Sequence, residues 1–124
     1  MVEGRRRAAG WILAGLVALV FAGSATGKLT ADPDALKVAE GFGIDARTYA
    51  VLGVVELACL ILFLFPRTGV AGTLLLASYM GGAIATHVGN GVPIFAPAAV
   101  EAFVLAAAFV RFPELGARLI NAKP

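Results

Sequence analysis

Four long apolar segments constrain this chain more than any other feature of its sequence. They cover residues 10–29, 48–65, 69–88 and 94–112. Each has about 18 to 20 residues, enough at about 1.5 Å per residue to cross a hydrocarbon core of roughly 30 Å. Hydrophobic residues make up 60% of the 124 positions, more than one soluble core can bury. We therefore predict an all-α fold, an integral membrane four-helix bundle that forms one transmembrane domain over residues 1–124.

Two connections set the topology of this bundle. The second and third segments are joined by "FPRTG", so short that they must form an antiparallel hairpin. The first and second are joined by the polar stretch 30–47, in which Asp32 can cap a helix that has Pro33 at its first position. Leu36, Ala39 and Phe42 recur on one face of that helix. We predict a short amphipathic helix on the membrane surface, either a plain linker or a lid over the bundle.

The first segment has a competing interpretation. Its basic start, apolar middle and small-residue end also suit a cleavable signal peptide. We prefer a retained helix because the apolar stretch continues through Lys28 and Leu29. Gly23 and Gly27 form a GxxxG pattern, which is typical of close packing between membrane helices.

Basic residues predict the orientation. Seven of the ten Lys and Arg residues lie at the termini or in the hairpin turn: Arg5, Arg6, Arg7, Arg67, Arg111, Arg118 and Lys123. By the positive-inside rule, both termini should be cytoplasmic and residues 30–47 should lie outside. The same residues sit at the edges of apolar segments and form no clustered stripe, which excludes a nucleic-acid partner.

Polar residues inside the apolar segments are the candidates for a site. A charged side chain near the bilayer centre costs roughly 2.5 to 3.5 kcal/mol, so it usually faces the bundle interior and finds a partner. We predict that five side chains converge in the outer half of the bundle: Lys28, Glu56, Tyr79, His87 and Glu101. They form either a ligand-binding pocket or a structural network in which the groups only pair with one another.

Other residues receive packing roles. Ala77, Gly81 and Ala85 form a small-residue face on the third segment, where another helix can approach closely. Leu60 is expected to face lipid. The lone Cys59 leaves no disulfide and no CxxC redox pair, and we predict neither a catalytic residue nor a metal site.

Several stretches resemble the DoxX-like family of small four-helix membrane proteins. The most specific are "GKLT" at the end of the first segment, Gly53 with Glu56, the Pro66 turn, and Gly82-Ala83 followed by His87 and Gly91. The resemblance covers roughly residues 10–112. It implies a multi-pass protein of a bacterial-type cytoplasmic (inner) membrane. Some family members are linked to thiosulfate oxidation with quinone as acceptor, others to oxidative-stress complexes, and distant eukaryotic relatives to receptor assembly.

Two functional hypotheses follow. A quinone- or lipid-binding subunit of a membrane redox complex would use His87 or Lys28 to donate a hydrogen bond to a quinone carbonyl, and Glu56 or Glu101 to relay a proton. The alternative is a chaperone-like assembly or scaffold protein without catalysis. The chain has no haem motif or flavin fingerprint, which argues against independent enzyme activity. Besides the lipid bilayer, its expected partners are membrane or redox proteins or further copies of itself. Transport is disfavoured because the inner half of the bundle is nearly all apolar.

Overall fold

A computed structural model of the protein describes residues 2–120, so Lys123 lies outside the described residues. Its six α-helices are α1 (Val2–Leu29), α2 (Pro33–Gly41), α3 (Ala46–Leu64), α4 (Gly69–Gly89), α5 (Phe95–Arg111) and α6 (Pro113–Ile120). Helices α1, α3 and α4 are long and apolar enough to cross a membrane. Helix α5 reaches that length only together with α6, to which it is joined by a bend of 104°. The predicted all-α membrane bundle with a short amphipathic helix is confirmed.

The four long helices form a closed ring around one core. Helices α1 and α4 each pack against both α3 and α5, so α1 lies diagonally opposite α4. The ring is filled by a few large side chains, among them Phe21, Phe63 and Leu76, all at most 2% exposed. Apolar residues also cover the outside, where Leu19 and Leu74 are more than half exposed. An apolar exterior around a small core is what a bilayer environment requires.

Two glycines near the start of α4 allow close packing beside the turn at Pro66. A Cβ atom at Gly72 would overlap the backbone of Phe63 on α3, and one at Gly69 would overlap the Phe112 ring. Both glycines directly follow the short turn at Pro66, which holds α3 and α4 together at this end of the bundle. Gly72 therefore permits backbone contact between α3 and α4, and Gly69 makes room for the Phe112 ring.

The small-residue face predicted for close packing is not used inside the bundle. Gly81 and Ala85 are exposed, and a Cβ atom at Gly81 or Gly23 would have no neighbour within 4 Å. The prediction fails for the helices of this bundle, which touch closely beside the Pro66 turn and are spread around a cavity at the other end; for a helix of another protein it stays a prediction. Leu60 is a second correction: it is 3% exposed and belongs to the core, not to the lipid-facing surface.

Two arginines close the end of the bundle at which α1 begins and α5 ends. Arg6 donates to the carbonyls of Val110 and Phe109 at 2.9 and 2.8 Å. Arg111 donates to the carbonyls of Phe63 and Leu64 at 2.8 and 3.0 Å. The last carbonyls of a helix lack partners within it and carry partial negative charge, so a guanidinium stabilises them. These arginines thus tie α1 to α5 and α5 to α3.

At the opposite end, here called the α2 end, two aspartates cap the first turns of helices. Asp32 accepts hydrogen bonds from the backbone N–H groups of Asp34 and Ala35 at 3.1 and 3.3 Å, which begins α2 where the sequence predicts it. Asp45 accepts from the Thr48 N–H at 2.8 Å and begins α3. Hydrogen bonding to the Thr48 side chain and then to its backbone lowers the pKa of the Asp45 carboxyl. The two caps therefore fix where α2 and α3 begin.

Candidate functional site

A single carboxylate oxygen joins three helices near the α2 end. Glu56 of α3 is 1% exposed, and its Oε2 accepts hydrogen bonds from Lys28 Nζ at 2.9 Å and Tyr79 OH at 3.0 Å. Ser24 Oγ donates to the same oxygen at 3.3 Å. Among residues 2–120, Glu56 Oε1 accepts no hydrogen bond. We call Ser24, Lys28, Glu56 and Tyr79 the Glu56 cluster.

Local sequence explains why these groups meet. Ser24 and Lys28 are four residues apart on α1 and therefore share a face, and Lys28 Nζ also donates to Ser24 Oγ. Gly53 lies three residues before Glu56 on α3, and a Cβ atom there would come within 2.9 Å of Lys28 Cβ. Because glycine has no side chain, Lys28 can pack directly against α3. Its ammonium group also lies 5.1 Å from the centre of the Tyr49 ring, a cation–π contact.

Beside the Glu56 cluster lies a cavity of about 550 Å³, here called the polar cavity. Side chains from all four long helices and from α2 line it, and most of them are apolar, such as Phe21, Leu52 and Val100. The polar lining includes the whole Glu56 cluster and His87. Its volume lies within the range of roughly 300 to 1,000 Å³ that is common for small-molecule sites.

His87 lines the polar cavity without joining the Glu56 cluster. Its Nδ1 lies 2.7 Å from the backbone carbonyl oxygen of Ala83. A carbonyl oxygen can only accept, so Nδ1 carries the hydrogen and Nε2 of the neutral ring is an acceptor. The ring of Phe42, the residue that directly follows α2, packs against the imidazole, with ring centres 4.8 Å apart. Backbone and aromatic contacts therefore orient His87, while Nε2 has no hydrogen-bond partner among residues 2–120.

Glu101 does not join the other four predicted residues. It does not line the polar cavity, and its Oε1 is buried without a hydrogen-bond partner among the described residues. The reason is the angular position of Glu101 around the axis of α5. Ala96, Pro97 and Val100 face the cavity, and at about 100° per residue Glu101 points roughly a quarter turn away from the centre of that face. The predicted convergence of all five side chains is wrong at this position.

Two contributors to the site were missed by sequence reasoning. Tyr49 supplies the ring beside Lys28, and Phe42 supplies the ring beside His87. A signal for Tyr49 exists, since Tyr49, Gly53 and Glu56 recur at helical spacing on one face of α3. Phe42 was assigned to the apolar face of α2, but nothing in its sequence context indicates which residue it would meet.

The charges around the polar cavity cancel. Lys28 and Glu56 form an ion pair at 2.9 Å, with side chains only 10% and 2% exposed. No other Lys, Arg, Asp or Glu of the described residues lines the cavity. The lining therefore offers hydrogen-bonding groups and no uncompensated charge when His87 is neutral.

Comparison with protein families decides where this bundle belongs. The sequence pattern of the DoxX-like family matches residues 12–110. The chain belongs to the DoxX-like family. The match includes the Glu56 cluster, His87 and Glu101, so this DoxX-like protein carries its candidate site within the family region, while α6 lies beyond it. Curated proteins and solved structures gave no match.

Proposed function

We propose that this DoxX-like protein binds a neutral quinone or quinol head in the polar cavity, as the ligand-holding subunit of a membrane redox complex. The observation that supports this most is that two partner-free acceptors, Glu56 Oε1 and His87 Nε2, belong to residues that line one cavity with mostly apolar walls. Apolar walls with a few convergent polar groups are typical of small-molecule sites.

The charge balance favours a neutral head group over an anionic one. An anionic phospholipid head would need a free cation, but the Lys28 ammonium is already paired with Glu56. The hydroxyl groups of a quinol can instead donate to Glu56 Oε1 and His87 Nε2, while its ring packs against apolar and aromatic side chains such as Phe21 and Phe42. Both acceptors would then have a hydrogen-bond donor.

The cavity residues can hold the ligand and exchange a proton with it. The neutral His87 ring has its hydrogen on Nδ1, so its Nε2 can accept the hydrogen of a quinol hydroxyl. Electrons must come from or go to another protein, and the expected partner is a membrane or redox protein. The proposed role is therefore binding and positioning within a complex.

We also propose that both termini are cytoplasmic and that α2 lies outside the inner membrane, because seven of ten basic residues lie at the termini or in the Pro66 turn. Alkaline phosphatase, active only outside the cytoplasm, is fused after Pro124. We expect it to be inactive there, while a cysteine placed at Lys37 in α2 should react with a membrane-impermeant maleimide in whole cells. An active fusion would contradict this orientation.

The binding proposal is tested with protein in lipid nanodiscs and a decyl-chain quinol analogue. We expect saturable binding to the wild type and about tenfold weaker binding to His87→Ala, since one lost hydrogen bond is worth roughly 1.4 kcal/mol. The melting temperature should change little, because the His87 side chain hydrogen-bonds only to the carbonyl of its own helix. Val88→Ala, next to His87 and 64% exposed, is the control and should bind like the wild type.

Absence of analogue binding to the wild type would contradict the proposal. The assembly or scaffold hypothesis would then replace it, and one feature favours that alternative. The exposed small residues Gly81 and Ala85 leave room on α4 for a helix of another protein. If the assembly or scaffold hypothesis is right, Gly81→Leu should lose a partner chain that co-purifies with the wild type.

A further inference from the structure

A second cavity lies between α1 and α5, and here we call it the α1–α5 groove. Its volume is about 400 Å³, and its lining is entirely apolar. The α1 side chains lie between Leu16 and Phe21, and the α5 side chains lie between Ala99 and Phe103. We propose that this groove holds the hydrocarbon tail of the amphipathic ligand whose head occupies the polar cavity, an inference that rests on the proposed function.

Shared residues show that the two cavities adjoin each other. Val20, Phe21 and Val100 line both of them. The polar cavity reaches Lys28 towards the α2 end, and the groove reaches Leu16 in the other direction along α1. At 1.5 Å per residue, these two positions are about 18 Å apart along the helix. A ligand that fills both cavities therefore has its head near the α2 end and its tail directed towards the bilayer centre.

The groove opens towards lipid. Leu19 is 73% exposed, and Leu16 and Phe103 are each 44% exposed. These side chains lie in the middle of membrane-spanning helices, where the surroundings are hydrocarbon. A tail in the groove would exchange lipid contacts for contacts with α1 and α5 at little cost. The opening thus offers a lateral path by which a membrane-dissolved amphiphile reaches the polar cavity without passing through water.

The charge balance of the polar cavity distinguishes this tail from an ordinary phospholipid chain. A surrounding phospholipid would keep its charged head at the membrane surface, since the polar cavity holds no free cation for it. Only a molecule with a neutral head can place that head beside Glu56 and its tail in the groove at once. The occupant is therefore the tail of a neutral single-headed amphiphile of the quinol type.

Filling the groove tests this assignment. Ala99 lines the groove and not the polar cavity, so Ala99→Trp blocks the tail and leaves the head site unchanged. Ala85→Trp is the matched control: Ala85 is also exposed and also lies four residues from the α2 end of its helix. Each variant is titrated in nanodiscs with a decyl-chain quinol and with the same ring lacking the chain. Ligand concentration is expressed as mole fraction in the bilayer.

We expect Ala99→Trp to weaken binding of the decyl-chain quinol several-fold, because the indole fills the groove and leaves the tail no path out of the polar cavity, and to leave the chain-free ring unchanged. Ala85→Trp should change neither. Unchanged binding of the decyl-chain quinol to Ala99→Trp, or an equal loss for both ligands, would overturn the groove assignment while the head site stands. If the wild type binds neither ligand, the proposed function falls and the groove assignment falls with it.

Discussion

Glu56→Leu is expected to lower the free energy of unfolding by about 3 to 5 kcal/mol, the usual cost of removing one partner of a buried ion pair. The change leaves the Lys28 ammonium, which is 10% exposed, without its carboxylate. Tyr79 and Ser24 lose the acceptor of their hydrogen bonds as well. Unfolding by a denaturing detergent, followed by circular dichroism in micelles, measures the difference from the wild type.

Glu101→Leu is the matched control for this prediction. Glu101 also lies within an apolar helix, but its buried Oε1 has no partner among residues 2–120. Removing it leaves no group unpaired, so we expect a change within about 1 kcal/mol or a gain in stability. The double variant Lys28→Met, Glu56→Leu should recover much of the loss, since an apolar pair can replace a buried ion pair. Equal tolerance of Glu56→Leu and Glu101→Leu would count against the Glu56 cluster as the tie between α1, α3 and α4.

Gly72→Ala is expected to destabilise the bundle by about 2 to 3 kcal/mol, the upper part of the range for overpacked cores. The added Cβ atom would overlap the backbone of Phe63, which cannot move aside as a flexible side-chain end would. Helices α3 and α4 must separate instead, next to the turn that joins them. The same detergent unfolding experiment measures the effect.

Gly81→Ala is the matched control for Gly72→Ala, because it makes the same substitution elsewhere on α4. A Cβ atom there would have no neighbour within 4 Å, and alanine is better than glycine within a helix by roughly 0.5 to 1 kcal/mol. We expect Gly81→Ala to match or exceed the wild type in stability. Similar losses in both variants would show that α3 and α4 do not meet closely at Gly72.

Much of the fold follows from local properties of the sequence. Apolar length predicts the spanning helices, and Asp32 with Pro33 predicts the start of α2, because caps depend only on neighbouring residues. Helix α6 and its 104° bend were missed. Pro113 with Glu114 is a typical helix start, but the apolar stretch that ends at Phe112 masks it.

The sequence predicts which charged groups must pair, but it does not predict the direction in which each side chain points from its helix. An ion pair inside the membrane follows from the cost of an unpaired charge, so the meeting of Lys28 and Glu56 could be anticipated. Depth along a helix does not fix the direction of a side chain, and for this reason Glu101 was wrongly grouped with them. Leu60 fails for the same reason: an apolar residue in an apolar helix can face either core or lipid.

The occupancy of the polar cavity is measured most directly by the quinones that the protein carries out of its membrane. Protein is extracted into native nanodiscs, and bound quinone is quantified by mass spectrometry. Gly82 lines the polar cavity, whereas its neighbour Gly81 does not, and a Cβ atom at either position meets open space. We expect about one quinone per chain in the wild type and in Gly81→Phe, and a several-fold loss in Gly82→Phe, whose ring fills the cavity. A wild type with no more quinone than the surrounding membrane, or a Gly82→Phe variant that retains as much as Gly81→Phe, would contradict a quinone site in this cavity.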